Sequence, residues 1–151
     1  MRLKRLNHFV QSVVLSVVGI LTFIPLQSGY AQEERKFYCD LRGNVPLTIV
    51  NTSRGPVTFI KWVVGFENYS LAERCRITSD RLERYYNGGR IYFKLHKNTS
   101  NSQPVICITN RKHEECTNEN VLVTLQKNAN AQEVLERIIA FRNGAGSTLE
   151  L

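Results

Sequence analysis

Histidine is scarce in this chain: three residues in 151, one of them, His8, near the N-terminus. His96 and His113 are then the remaining imidazoles for general-base or metal chemistry. His96 falls on the expected solvent face of a strand and His113 in a charged loop, so both read as surface histidines. No nucleophile-elbow sequence and no phosphate-cradling glycine loop is present. No basic run is interleaved with aromatics, which argues against nucleic-acid binding. No internal repeat marks a solenoid, and no second long apolar run follows the one at the N-terminus.

What is present describes a small globular chain. Its length suggests one domain, and 42% apolar with 22% charged residues excludes a disordered composition. The N-terminal segment Met1 to Ala31 has the three parts of a secretory signal peptide. Arg2, Lys4 and Arg5 form a basic start, Val13 to Ile24 is almost wholly apolar, and Gly29-Tyr30-Ala31 offers small residues to a signal peptidase. The apolar run is shorter than the ~20 residues that span a bilayer. Cleavage is therefore expected between Ala31 and Gln32, with no cysteine nearby for a lipid anchor. The expected division is 1–31 leader and 32–151 single domain. Without the leader's cations the net charge falls from +7 to +4, with 17 basic and 13 acidic residues. That mild excess suits an anionic surface such as a membrane or a polysaccharide.

Periodicity places the elements. Phe37 to Cys39 and the β-branched Leu47 to Asn51 read as strands, and Val57 to Val64 as a nearly continuous apolar, central strand. Ser70 and Glu73 form a capping box, and Leu71, Cys75, Thr78, Leu82 and Tyr85 make one helical face ending at Gly88-Gly89. Arg90 to His96 alternates as a half-buried strand, and Val105 to Thr109 and Val121 to Gln126 supply two more. Asn130 and Glu133 predict a second capping box, with Val134, Leu135, Ile138, Ile139 and Phe141 as the apolar face behind it. The tail after Asn143 reads as loose. The expected fold is α+β, in the order βββαβββα, with a mainly antiparallel sheet and both helices on one face.

Four cysteines, Cys39, Cys75, Cys107 and Cys116, follow an export signal, so they read as two disulfides. A metal site from Cys107, His113 and Cys116 is the sharper alternative, but its spacing is not a familiar zinc pattern. Cys107 lies in a strand and Cys116 just past a tight charged turn, so these two can meet. Cys75 on the apolar face of the first helix points at the sheet, where Cys39 ends the first strand. The expected map is Cys39–Cys75 and Cys107–Cys116. Glu73, Arg74, Asp80, Arg81, Glu83 and Arg84 read as a solvated helix face with ion pairs. Glu114-Glu115 beside Arg111-Lys112 reads as a solvated hairpin tip. Sequons at Asn51, Asn68 and Asn98 are a pattern common by chance.

An ordered set of stretches resembles the cyanobacterial circadian-oscillating protein domain over nearly all of the chain after the leader. These are Phe37-Tyr38-Cys39, Pro46 through Gly55-Pro56 to Lys61-Trp62-Val63, and Arg74-Cys75. Arg81-Leu82-Glu83-Arg84-Tyr85-Tyr86-Asn87-Gly88 and Gln103-Pro104-Val105-Ile106-Cys107 follow, then Cys116 and Leu122 through Arg142-Asn143. The resemblance implies an exported protein associated peripherally with a membrane, and it brings no catalytic residue and no cofactor. The expected function is a non-enzymatic binding or structural domain of the periplasm or cell envelope, its partner a membrane surface or another envelope component. The alternative is a small secreted enzyme or enzyme inhibitor.

Overall fold

A computed structural model describes residues 35–66, 68–86, 89–97 and 102–151. The leader, its expected cut at Ala31–Gln32, Gly88 and the sequon Asn98 lie outside the described residues. Elements run β1 (Phe37–Asp40), β2 (Leu47–Thr52), β3 (Gly55–Lys61), α1 (Leu71–Tyr85), β4 (Tyr92–Lys97), β5 (Pro104–Thr109), β6 (Val121–Thr124), α2 (Ala131–Arg142) and β7 (Leu149–Glu150). The α+β class and the order βββαβββα hold, with one short strand added at the end.

The strands form two sheets where one was expected. The first has the order β1-β2-β3-β7 and the second β4-β5-β6. Every pairing is antiparallel except β3 with β7, which is parallel. The break follows from α1. The helix lies against β1 and β2 of the first sheet and against β5 and β6 of the second, so it joins the two rather than sitting on a face of one. α2 packs on β4, β5 and β7. The core gathers between these layers from Ile60, Trp62, Leu82, Ile106, Ile108, Leu122 and Ile138, all at most 1% exposed.

Local chemistry explains the helix ends. Ser70 and Glu73 make both bonds of the capping box. α1 stops at Tyr85, before Gly88-Gly89, because Tyr86 leaves the helix with its N–H on Leu82 O and sets its ring edge-on to buried Phe37, 5.6 Å between centroids. At α2 only half of the expected box forms. Asn130 Oδ1 accepts from Glu133 N, but the Glu133 carboxylate takes its bond from the Asn130 side chain rather than from the backbone. The helix closes in a Schellman arrangement, with Gly144 at φ 79° donating to Phe141 O and Ala145 donating to Ala140 O.

The tail is not loose. Gly146 passes so close to the Phe141 backbone that a Cβ there would collide with it. The chain then returns beside β3, where Leu149 pairs with Ile60 and Glu150 with Lys61. Leu151 N donates to Lys61 O at 3.0 Å, and Leu151 O accepts from Val63 N at 2.7 Å and Val64 N at 3.1 Å. Leu149 is 1% exposed. Truncation to Leu149→Ala therefore costs about 2–5 kcal/mol in urea unfolding, the range for a buried leucine. A loose tail would leave the unfolding midpoint unmoved.

Candidate functional site

Among the described residues β6 pairs with β5 and with no other strand, which leaves one of its edges to α1. An open strand edge carries carbonyls that need donors, and α1 supplies them from side chains. Thr78 Oγ1 donates to Leu122 O at 3.0 Å. One turn before, Arg74 donates through Nη1 to Val64 O and through Nη2 to Thr124 O at 3.2 Å. One turn after, Arg81 donates through Nη1 to Val121 O and through Nη2 to Asn118 O at 3.4 Å. Arg74 and Arg81 are seven residues apart on one helix face, about 10.5 Å along the axis.

Arg74 also meets two aromatic rings. Its guanidinium carbon lies 4.7 Å from the centroid of Trp62 and 4.5 Å from that of Phe66. These contacts are cation–π in geometry. Trp62 itself is 0% exposed and donates Nε1–H to Thr48 Oγ1 at 3.0 Å, which fixes the ring plane. Among the described residues, no carboxylate stands within ion-pair reach of Arg74 or Arg81. Burial pushes the Arg74 guanidinium down to about 10. It pushes Arg81 down as well, with repulsion from Arg84 adding to the effect.

Between this helix face, the β6 edge and the residues Trp62, Phe66, Asn68 and Tyr69 lies a cavity of about 560 Å³. Its walls include Trp62, Phe66, Tyr69, Arg74, Ile77 and Arg81. The volume falls within the roughly 300–1,000 Å³ of small-molecule sites. Ile77 and Tyr69 are exposed at its rim. A smaller hollow of about 290 Å³ shares Arg74 and Phe66 and reaches Leu125, Val134 and Leu151.

The helix face read as solvated ion pairs is corrected here. Of that helix face, Asp80 alone makes a salt bridge among the described residues, to Arg35 at 2.6 Å. Glu83 accepts from the backbone N–H of Phe37 at 2.7 Å and of Lys36 at 3.2 Å, tying the first strand to α1. Arg74 and Arg81 reach carbonyls. Their position flanking the Leu71, Cys75, Thr78, Leu82 stripe was the available signal, since long basic side chains at such borders lay their stems along apolar surface.

The disulfides are Cys39–Cys75 and Cys107–Cys116, with Cα separations of 5.6 and 5.8 Å. The thiols of the alternative metal site are thus bonded to each other, and among the described residues no group of three or more His, Cys, Asp or Glu could hold an ion. His96 and His113 are exposed. Glu114 pairs with Arg111 at 3.7 Å, and its carbonyl accepts from Lys94 Nζ at 2.8 Å. Asn120, a residue the sequence did not single out, organises the loop behind Cys116. It is 2% exposed, donates to Glu115 O and accepts from Thr117 N. Of the sequon residues, Asn68 is exposed, while the Asn51 amide donates to Arg35 O.

No curated protein and no solved structure matches the chain. The model of the family described as circadian oscillating protein COP23 matches residues 36–151, and the chain belongs to that family.

Proposed function

We propose that this member of the circadian oscillating protein COP23 family is an exported, non-enzymatic binding domain of the periplasm or cell envelope, resting peripherally on a membrane surface. The cavity beside β6 is its ligand site. The observation that carries this reading is that cavity. Two guanidiniums, aromatic faces and carbonyl-anchored edges surround it, a set of groups that holds and orients a ligand. Neither His96 nor His113 is among its walls. The three-part leader and the two disulfides support export, because such bonds persist in oxidising compartments.

Cell fractionation with intact mass measurement tests the reading. The protein is expected in the envelope or periplasmic fraction with a mass beginning at Gln32. High salt or carbonate is expected to release the membrane-bound share, since screened surface charge is the proposed attachment. A mass that still includes Met1, or release by detergent alone, would overturn it. Among the described residues no helix is long and apolar enough to cross a membrane.

A further inference from the structure

Resting on the binding-domain reading, we infer that the cavity between α1 and β6 takes a small organic anion, its oxyanion head drawn by the charges of Arg74 and Arg81 and its apolar body against Ile77 and Tyr69. Each guanidinium carries five N–H donors in a planar fork. The carbonyls of Val64 and Thr124 engage two nitrogens of Arg74, and those of Val121 and Asn118 two of Arg81. Carbonyl oxygens satisfy hydrogen bonds but bring no net charge. Both cations therefore border one cavity without a carboxylate beside them among the described residues.

A half-buried cation without a counter-charge is costly, and the rings of Trp62 and Phe66 offset only part of that cost. An anion in the cavity that both arginines border offsets more of it. Burial lowers the titration of both groups, with repulsion from Arg84 added at Arg81, and a bound anion acts in the opposite direction on each. The body of the ligand is set by the rim. Ile77 is 37% and Tyr69 54% exposed, an apolar and an aromatic surface facing water at the mouth of the cavity. A bare inorganic ion would leave both uncovered, and a neutral ligand would leave the two charges as they are.

The chain has one tryptophan, and it is a wall of this cavity. Its fluorescence in the purified protein is the readout. Phenylacetate and phenyl phosphate are titrated as carboxylate and phosphate probes, with phenylacetamide as the neutral counterpart and inorganic phosphate as the head alone. Saturable change is expected with the two aryl anions and tenfold or weaker affinity for the other two, on the order of one charge-assisted hydrogen bond or one buried apolar group. The stronger aryl anion identifies the head. Arg81→Gln is expected to weaken binding by roughly tenfold to a hundredfold. Arg84→Gln removes the same charge from the exposed side of α1 and is expected to bind as the parent does.

Ile77→Glu places an acid at the exposed rim and is expected to abolish binding of both aryl anions. It serves as the second test where Arg81→Gln fails to fold. Equal binding of phenylacetamide, unchanged affinity in Arg81→Gln and Ile77→Glu, or no response to any probe overturns the inference. Inorganic phosphate as strong as phenyl phosphate overturns the apolar part of it. Binding by the amide alone would keep a ligand site while refuting the anion. Retention of the leader or a cytoplasmic location would refute the envelope reading and leave the titration as it stands.

Discussion

Reduction of the two disulfides is expected to take a large share of the domain's stability. In the chain-entropy account, a bond closing 36 residues of separation contributes about 3.8 kcal/mol and one closing 9 about 2.7 kcal/mol. Against a net stability of roughly 5–15 kcal/mol for a small domain, the pair is a large share. The bonds act at different places. Cys39–Cys75 fastens β1 to the helix that joins the two sheets, and the Cys75 side chain is 0% exposed. Cys107–Cys116 holds the loop after β5 close to the strand it leaves. Replacing Cys39 and Cys75 by alanine should therefore cost more than replacing Cys107 and Cys116. Urea unfolding with and without reductant measures the total, and the two double variants divide it. Superimposable curves in the presence and absence of reductant would show that the bonds contribute nothing. Non-reducing peptide mapping checks the pairing itself, and a peptide joining Cys39 to Cys107 or Cys116 would refute it.

Much of the frame was legible in the sequence because local rules fixed it. The capping box at Ser70 marks where α1 begins, and the Leu71-Cys75-Thr78-Leu82 stripe marks the face it buries. The alternation from Arg90 to His96 placed β4, but burial there falls along the strand instead of alternating, and Leu95, expected inside, is 38% exposed. The cysteines then follow from where those sides meet. Alternation does not report which strand a strand pairs with, so the split into two sheets could not be read from it. Nor could β7, whose two residues are too few to carry a period and whose partner β3 lies about 90 residues earlier, as the Lys61–Glu150 ion pair shows.

The candidate site was the least legible part for a related reason. Arg74 and Arg81 look like any basic residues on a helix bearing acids nearby. Their role depends on β6 arriving more than 40 residues later with an unpaired edge, as the 44-residue separation of Thr78 and Leu122 illustrates. Sequence spacing within α1 holds no trace of that arrival. The same helix thus carries two kinds of information: a stripe that declares itself by period, and a flanking pair of cations whose environment is made by another element.

Replacement of Trp62 by alanine is expected to destabilise the domain by about 3–5 kcal/mol, the range for deleting a large buried aromatic. Trp62 stands where β3 ends and the segment bordering the cavity begins, and none of it is exposed. Its backbone N–H donates to Pro46 O at 3.0 Å, so the residue is fixed at both ends. At the ring, Nε1–H donates to Thr48 Oγ1, which also accepts from Ser79 Oγ at 3.1 Å. Thr48 and Ser79 are both 0% exposed, so the three form a buried polar knot linking β2, the end of β3 and α1. Trp62→Phe keeps most of the apolar volume but removes the donor, and should cost less than Trp62→Ala. Thr48→Val keeps the shape and removes the shared acceptor, leaving the Trp62 N–H and the Ser79 hydroxyl without it. It should cost about 1–3 kcal/mol for each buried group stranded. The three variants are compared by urea unfolding followed by circular dichroism, since two of them lack the fluorophore. Trp62→Ala also strips one face from Arg74, so any loss beyond that of Trp62→Phe should shrink when Arg74 is replaced by glutamine in the same chain. Equal costs for Trp62→Ala and Trp62→Phe would mean that neither the ring's volume nor its contact with Arg74 holds this corner of the fold together.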